Sequence, residues 1–262
     1  MPRRRLDAEL VRRGLAPDPA AAAAAVAAGR VTVAGGPATN AAALVAPSDS
    51  VRVAGPPGRY VSRGGEKLAA ALERFDVDPR GRDALDAGAS TGGFTDCLLQ
   101  AGAARVVAVD VGYGQLAWSL REDPRVIVRE RTNVRDLTRE DLPLSPSLVV
   151  ADLSFVSLAG LVPHLVALAA VGADLVLLVK PQFEAAYTAV GSAGVVRDRA
   201  VRRAAIDRVA SAASSSGAGT LAVMASPIAG PAGNVEFLLH ARAGAVAEIE
   251  DPGAVADREP GA

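Results

Sequence analysis

From Ala84 to Ala241 the chain alternates short apolar runs with segments of helical periodicity, and this alternation limits the fold more than any other feature. The apolar runs are Ala84–Ala87, Val106–Val111, Val126–Arg131, Leu148–Asp152, Leu175–Lys180, Leu221–Ala225 and Glu236–Ala241. Helical patterns fill Phe94–Ala101, Gln115–Arg121, Leu158–Ala170 and Asp198–Ser216. Short runs apolar on both faces suit a parallel sheet, because crossover helices cover both of its sides. The pattern therefore predicts an α/β fold with a Rossmann-like, doubly wound sheet and ligands at the carboxyl edges of its strands. At 262 residues, half of them hydrophobic, the chain can bury this core and one small satellite domain.

The satellite is expected at the amino end. Leu6, Leu10 and Val11 share one helical face in Arg5–Leu15, with Gly14 as a stop, and a second helix of nearly pure alanine runs from Pro19 to Ala28. Arg30-Val31-Thr32-Val33 and Asp49-Ser50-Val51-Arg52-Val53 alternate like short strands around the Gly35-Gly36 turn. Charge separates the two blocks: residues 1–67 hold ten Arg/Lys against five Asp/Glu, whereas the rest of the chain is net acidic. A basic module on an acidic body fits a phosphate-facing function, and a solvated arginine surface fits it equally. Two helices followed by short strands resemble the S4 RNA-binding domain, which implies that Arg3, Arg4, Arg5, Arg12 and Arg13 face RNA. The second helix departs from that family, since Asp18-Pro19-Ala20 stands where a Ser-Arg pair is usual, so weak RNA affinity is expected from this block alone.

Several classes are disfavoured by composition. The single Cys97 reads as a small buried hydrophobe, and with only two histidines in the chain no zinc-ligand spacing arises, so no metal is expected. His164 and His240 sit in apolar runs and read as packed residues. Met1-Pro2-Arg3-Arg4-Arg5 does not open a secretory signal, and the apolar window 158–179 is broken by Pro163, His164 and Asp174. A cytoplasmic protein without a membrane partner is expected, with a monomer favoured.

The run Leu85-Asp86-Ala87-Gly88-Ala89-Ser90-Thr91-Gly92-Gly93-Phe94 joins the first strand to the first helix. Its glycines allow a ligand close to the backbone. Their spacing is not the G-x-G-x-x-G of dinucleotide folds. A preceding carboxylate, Asp86, suits a cofactor with an amino group and no phosphate, which favours S-adenosylmethionine over NAD. Asp110, ending the second strand beside Val111, is placed for ribose hydroxyls, and Thr132-Asn133 for an adenine edge. A glycine-rich turn with capping polar residues is the competing reading.

Two further strands end in chemistry-bearing residues. Asp152 closes Val149-Val150-Ala151-Asp152-Leu153-Ser154-Phe155, and Lys180 closes Leu177-Leu178-Val179-Lys180-Pro181-Gln182-Phe183. A lysine ending an apolar strand needs a partner or a path to solvent. Lys67 lies ahead of the first strand, and Glu236 follows Ser226–Val235. In order and context Lys67, Asp152, Lys180 and Glu236 resemble the Lys-Asp-Lys-Glu tetrad of FtsJ/RrmJ-like ribose 2′-O-methyltransferases. The whole chain resembles the TlyA family of ribosomal RNA cytidine 2′-O-methyltransferases, long labelled hemolysins. Arg4–Leu15, Val61–Leu68, Leu85–Thr95, Asp110–Leu120, Ala151–Leu158, Val179–Glu184 and Ser226–Phe237 carry that likeness.

The resemblance implies a class I methyltransferase sheet of seven strands, the last antiparallel. It also implies S-adenosylmethionine as cofactor, and 16S or 23S ribosomal RNA in ribosomal subunits as partner. It divides the chain into an S4-like domain over 1–58, a linker over 59–66 that follows Gly55-Pro56-Pro57-Gly58, and a methyltransferase domain over 67–246 beginning with a helix Lys67–Phe75. Residues 247–262, which the likeness does not cover, are expected from their Pro/Gly/Asp/Glu-rich composition to be a disordered tail. Lys180 is then the base or orienter of the 2′-hydroxyl, and which lysine takes the proton stays open. Phe155 either stacks on an everted base or packs in the core. Arg63 and Arg197 are candidate phosphate contacts, with a plain surface role favoured for Arg197. Small-molecule methylation and a pore-forming hemolysin are the alternatives; the first leaves the basic block unexplained, and the second lacks a spanning helix or a barrel pattern.

Overall fold

The computed structural model describes residues 3–16, 18–27, 29–54, 59–191 and 194–260. Two compact units divide between Gly58 and Arg59. The linker-like Gly55-Pro56-Pro57-Gly58, the opening Met1-Pro2 and the helix end at Ala28 lie outside the described residues.

The first unit contains β1 (Arg4–Arg5), α1 (Leu6–Arg12), α2 (Pro19–Ala27), β2 (Val31–Val33), β3 (Gly36–Pro37), β4 (Leu44–Val45) and β5 (Val51–Val53). β1 pairs with β4, and β2 pairs with β3 and β5, all antiparallel. α2 has no apolar stripe of large residues, yet Ala22, Ala25 and Val26 recur on one face and pack with Leu6, Leu10, Val31, Val45 and Val51. Alanine suffices because small side chains let the two helices approach closely.

The second unit holds α3 (Gly64–Arg74), β6 (Asp83–Ala87), α4 (Gly93–Gln100), β7 (Arg105–Val109), α5 (Trp118–Arg121), β8 (Val126–Arg129), β9 (Leu148–Ala151), α6 (Val162–Leu168), β10 (Asp174–Val179), α7 (Pro181–Glu184), α8 (Arg199–Ser215), β11 (Ala218–Ala225) and β12 (Phe237–Ala243). They build a seven-stranded sheet in the order β11-β12-β10-β9-β6-β7-β8. β8, β7, β6, β9 and β10 run parallel, and the last strand, β12, is inserted antiparallel between β10 and β11. The period-2 pleat sorts β10 cleanly: Leu175, Leu177 and Val179 enter the core on one face, Val176 and Leu178 that on the other. Strand order reverses between β6 and β9, and the crevice at such a switch point is where an open α/β sheet binds ligands. Among the described residues no helix is long and apolar enough to cross a membrane.

Three expectations need correction. Residues 59–66 are not a linker. Tyr60 is buried, Val61 N donates to Asp96 Oδ2 at 2.8 Å, and the helix expected from Lys67 already begins at Gly64. Within the expected tail, residues 252–257 form a 3₁₀ turn that packs on α8, burying Val255 and Ala256. A polar, proline-containing composition concealed two apolar side chains whose burial supports that turn, a fully buried valine contributing about 1.5–3 kcal/mol. The helices expected over Gln115–Arg121 and Leu158–Ala170 shorten to α5 and α6, since Ala117 is extended ahead of Trp118 and Pro163 sits in the first turn of α6.

Candidate active site

The loop after β6 turns sharply at Gly88, whose φ is +87°. A Cβ there would lie 2.5 Å from the Asp152 carbonyl, so only glycine lets this loop close on the end of β9. Gly88, Ser90, Asp152, Ser154 and Phe155 are shared by two adjoining lobes of one crevice, of about 880 Å³ and about 480 Å³.

The smaller lobe is lined by Asp110, Val111, Thr132 and Asn133, four of the residues expected to hold a cofactor. Asp110 anchors the lobe from both sides: Oδ2 accepts from Ser90 N at 2.8 Å and Oδ1 from Gly112 N at 2.6 Å. Each carboxylate oxygen keeps acceptor capacity for a further donor. Gln115 and Arg135 also line this lobe and were missed from sequence.

Ser90, Thr91, Gly93 and Phe94 line the larger lobe with Gly88. Two of the expected cofactor residues do not face the crevice. Gly92 lies beneath Leu116 and Leu120, where a side chain would collide with them. Asp86 is wholly buried behind the loop; Oδ2 accepts from Thr95 Oγ1 at 2.7 Å while Oδ1 has no partner. Burial pushes its carboxyl up to about 7, although the Thr95 hydrogen bond opposes the shift. The sequence shows a carboxylate just ahead of the loop, but not that its place inside β6 buries it.

All four residues of the expected tetrad line the larger lobe. Lys180 ends β10 and forms an ion pair with Asp152 Oδ1 at 2.6 Å while donating to Ser154 Oγ at 2.8 Å. Lys67, on α3, donates to Glu236 Oε2 at 2.5 Å, and both side chains are nearly inaccessible. A Cβ on Gly230 would lie 2.5 Å from Glu236 Oε1, so glycine makes room for that carboxylate. Two buried cations meet two carboxylates, which is how such charges are tolerated away from water.

The rim is aromatic. Phe155 adopts a left-handed φ of +62° and is 92% exposed, with its ring centroid 5.2 Å from that of Phe183. Core packing is therefore excluded for Phe155. A bulky residue held in that backbone region costs about 1–3 kcal/mol and tends to persist where surroundings impose it. The surroundings here include Glu184, buried in α7, which accepts from Ser157 Oγ at 2.7 Å and Leu158 N at 2.5 Å and so ties the Phe155 loop to the Lys180 strand end. Arg63 is exposed, lines the lobe and donates to the Ala229 carbonyl at 2.7 Å. Arg197 is a surface residue outside both lobes. Ser154, Gln182, Phe183 and Glu184 were missed from sequence, because which of them turn inward depends on the irregular backbone after β9 and β10.

In the first unit Arg3, Arg4, Arg5 and Arg12 are exposed. Arg13 is not available in the same way: it donates to Glu9 Oε1 at 2.7 Å and to the carbonyls of Asp49 and Pro47. Glu9 is fully buried, and hydrogen bonds from Arg12 and then Arg13 hold its carboxyl down at about 2. Arg13 thus braces a loop, a correction to its expected place among RNA contacts.

Comparisons with known proteins agree on both units. The profile of the FtsJ-like methyltransferase family matches residues 60–243, and that of the S4 domain matches residues 4–51. The chain is 53% identical over 241 residues, 92% of its length and 90% of the relative's, to the 16S/23S rRNA (cytidine-2′-O)-methyltransferase TlyA of Mycobacterium tuberculosis strain H37Rv. It is 40% identical over 183 residues to Hemolysin A of Brachyspira hyodysenteriae, covering 70% of this chain and 76% of that one. A solved structure from Streptococcus thermophilus, provisionally named a hemolysin, superposes with a TM-score of 0.74 at 36% identity, covering 98% of this chain and 94% of the other.

Proposed function

The chain belongs to the TlyA family of FtsJ-like methyltransferases, and from that membership we propose that it methylates the 2′-hydroxyl of cytidine ribose in the ribosomal RNA of bacterial subunits, with S-adenosylmethionine as donor. The observation that carries this reading is the convergence of Lys67–Glu236 and Asp152–Lys180 on one crevice wall, beside the lobe that Asp110 anchors.

The residues present fit the donor. Asp110 offers acceptors for ribose hydroxyls, and Val111, Thr132 and Asn133 wall the space beside it for the adenine. When bound, S-adenosylmethionine supplies an electrophilic sulfonium methyl, so the remaining task is to present a deprotonating hydroxyl in line with it.

That task falls to the chain's own side chains. An ammonium only donates, and Lys180 spends part of its capacity on Asp152 and Ser154. Its remaining donor direction orients the 2′-oxygen, and the second oxygen of Asp152 accepts the departing proton. Lys67 and Glu236 neutralise each other in the wall and hold the hydroxyl's other side. Phe155 offers an exposed ring on which an everted base stacks, and Arg63 meets backbone phosphate. In the amino-terminal unit Arg3, Arg4, Arg5 and Arg12 contact RNA backbone.

The test is nucleoside analysis of unmodified ribosomal subunits after incubation with the protein and labelled S-adenosylmethionine. The reading expects label in 2′-O-methylcytidine, and label on a base, or none, would overturn it.

A further inference from the structure

Among the described residues the buried side-chain atoms without a hydrogen-bond partner are Asp86 Oδ1, His164 Nε2, Gln182 Oε1 and Thr220 Oγ1. Of these residues only Gln182 lines the larger lobe. It stands two residues beyond Lys180 and directly before Phe183, whose ring faces the exposed Phe155. An enclosed carbonyl oxygen with no donor is costly to maintain, so such an atom at a crevice wall marks a place that a ligand group completes.

From this we infer, on the footing of the function proposed above, that Gln182 reads the Watson–Crick edge of the target base and selects cytosine. A primary amide presents an acceptor and a donor side by side in one plane. A base edge carries that paired pattern in one plane; the donor's ammonium and carboxylate offer the same two partners, and unchanged donor binding in the variants below separates the base from them. A ribose hydroxyl is a single group, and a carboxylate offers acceptors alone, which would leave Oε1 bare. Cytosine offers its N4 amino group to Oε1 and its N3 lone pair to the amide nitrogen. Uracil reverses that order. A base stacked on Phe155 turns its edge toward the wall that Gln182 forms, while its ribose reaches the Lys180–Asp152 pair.

The experiment compares the full-length protein with Gln182→Ala and Gln182→Met on subunits carrying cytidine, or uridine in its place, at the methylated position. Methionine keeps the side-chain length and the packing of the wall, so a loss shared by both variants reports the amide. Losing one bidentate base contact lowers the rate on cytidine about ten- to hundredfold, with little change on uridine and unchanged donor binding, so the preference for cytidine shrinks. Equal losses on both substrates, an unchanged preference, or a wild-type protein indifferent to the base would overturn the inference while leaving ribose methylation intact. A wild-type protein that transfers no methyl group to either substrate would instead remove the reading on which it rests.

Discussion

Lys67 and Glu236 are 169 residues apart in the chain and 2.5 Å apart in space. The contact joins α3, which opens the catalytic unit, to the loop that feeds β12, and so fixes one wall of the crevice before any ligand arrives. Nearly inaccessible at both ends, it is held by mutual compensation, because neither charge has water to fall back on.

Lys67→Met leaves a buried carboxylate unpaired and is expected to destabilise the protein by about 3–5 kcal/mol. The double variant Lys67→Met with Glu236→Leu removes both charges and should recover most of that loss, since apolar replacements of a buried pair are often neutral. Methyl transfer should stay lost in both. Denaturant unfolding beside an activity assay separates the effects, and a double variant no more stable than the single one contradicts the pairing argument.

Phe155→Gly relieves a left-handed backbone and removes the exposed ring in one change. Stability is expected to stay within about 1 kcal/mol of wild type, as relieved strain offsets the added chain freedom of glycine. Activity should fall: base–aromatic stacking worth about 1–3 kcal/mol corresponds to roughly five- to 150-fold in kcat/KM on ribosomal subunits. An unchanged kcat/KM would place the ring outside the substrate path.

Asp86 supplies a pH signature. Its carboxyl ionises near 7 in the folded protein but near about 4 in an unfolded chain. Below about pH 4 both states hold the proton and the residue costs nothing. As pH rises from there to about 7 the unfolded chain gives up a proton that the folded chain keeps, so stability is lost across that window and levels off above it. Asp86→Asn has no such proton to lose. Its unfolding free energy relative to wild type should therefore climb between about pH 4 and pH 7, and a flat difference would contradict the burial of an ionisable Asp86.

The parallel sheet was legible because its strands are buried on both faces, and a run such as Leu175–Val179 has no other comfortable home. Lys180 and Asp152 were legible for a related reason: a charge that ends an apolar strand can face only the edge of the sheet. Their partners were not. Ser154 meets Lys180 from the irregular segment after β9, one residue before the left-handed Phe155, and no periodicity governs a side chain's direction there. Val255 and Ala256 were hidden by the polar residues around them, and Arg13 by its likeness to Arg12, one position away but facing solvent. Asp86 was found by its place before the glycines, yet its depth depends on β6 being covered on both sides.

The most direct test is Lys180→Ala, examined for two quantities in one preparation: binding of S-adenosylmethionine by calorimetry and methyl incorporation into ribosomal subunits. Lys180 does not itself line the Asp110 lobe, so donor affinity should remain within about threefold of wild type, a difference under 1 kcal/mol, while methyl transfer disappears. Full transfer by this variant would contradict the assignment of the hydroxyl to the Lys180–Asp152 pair.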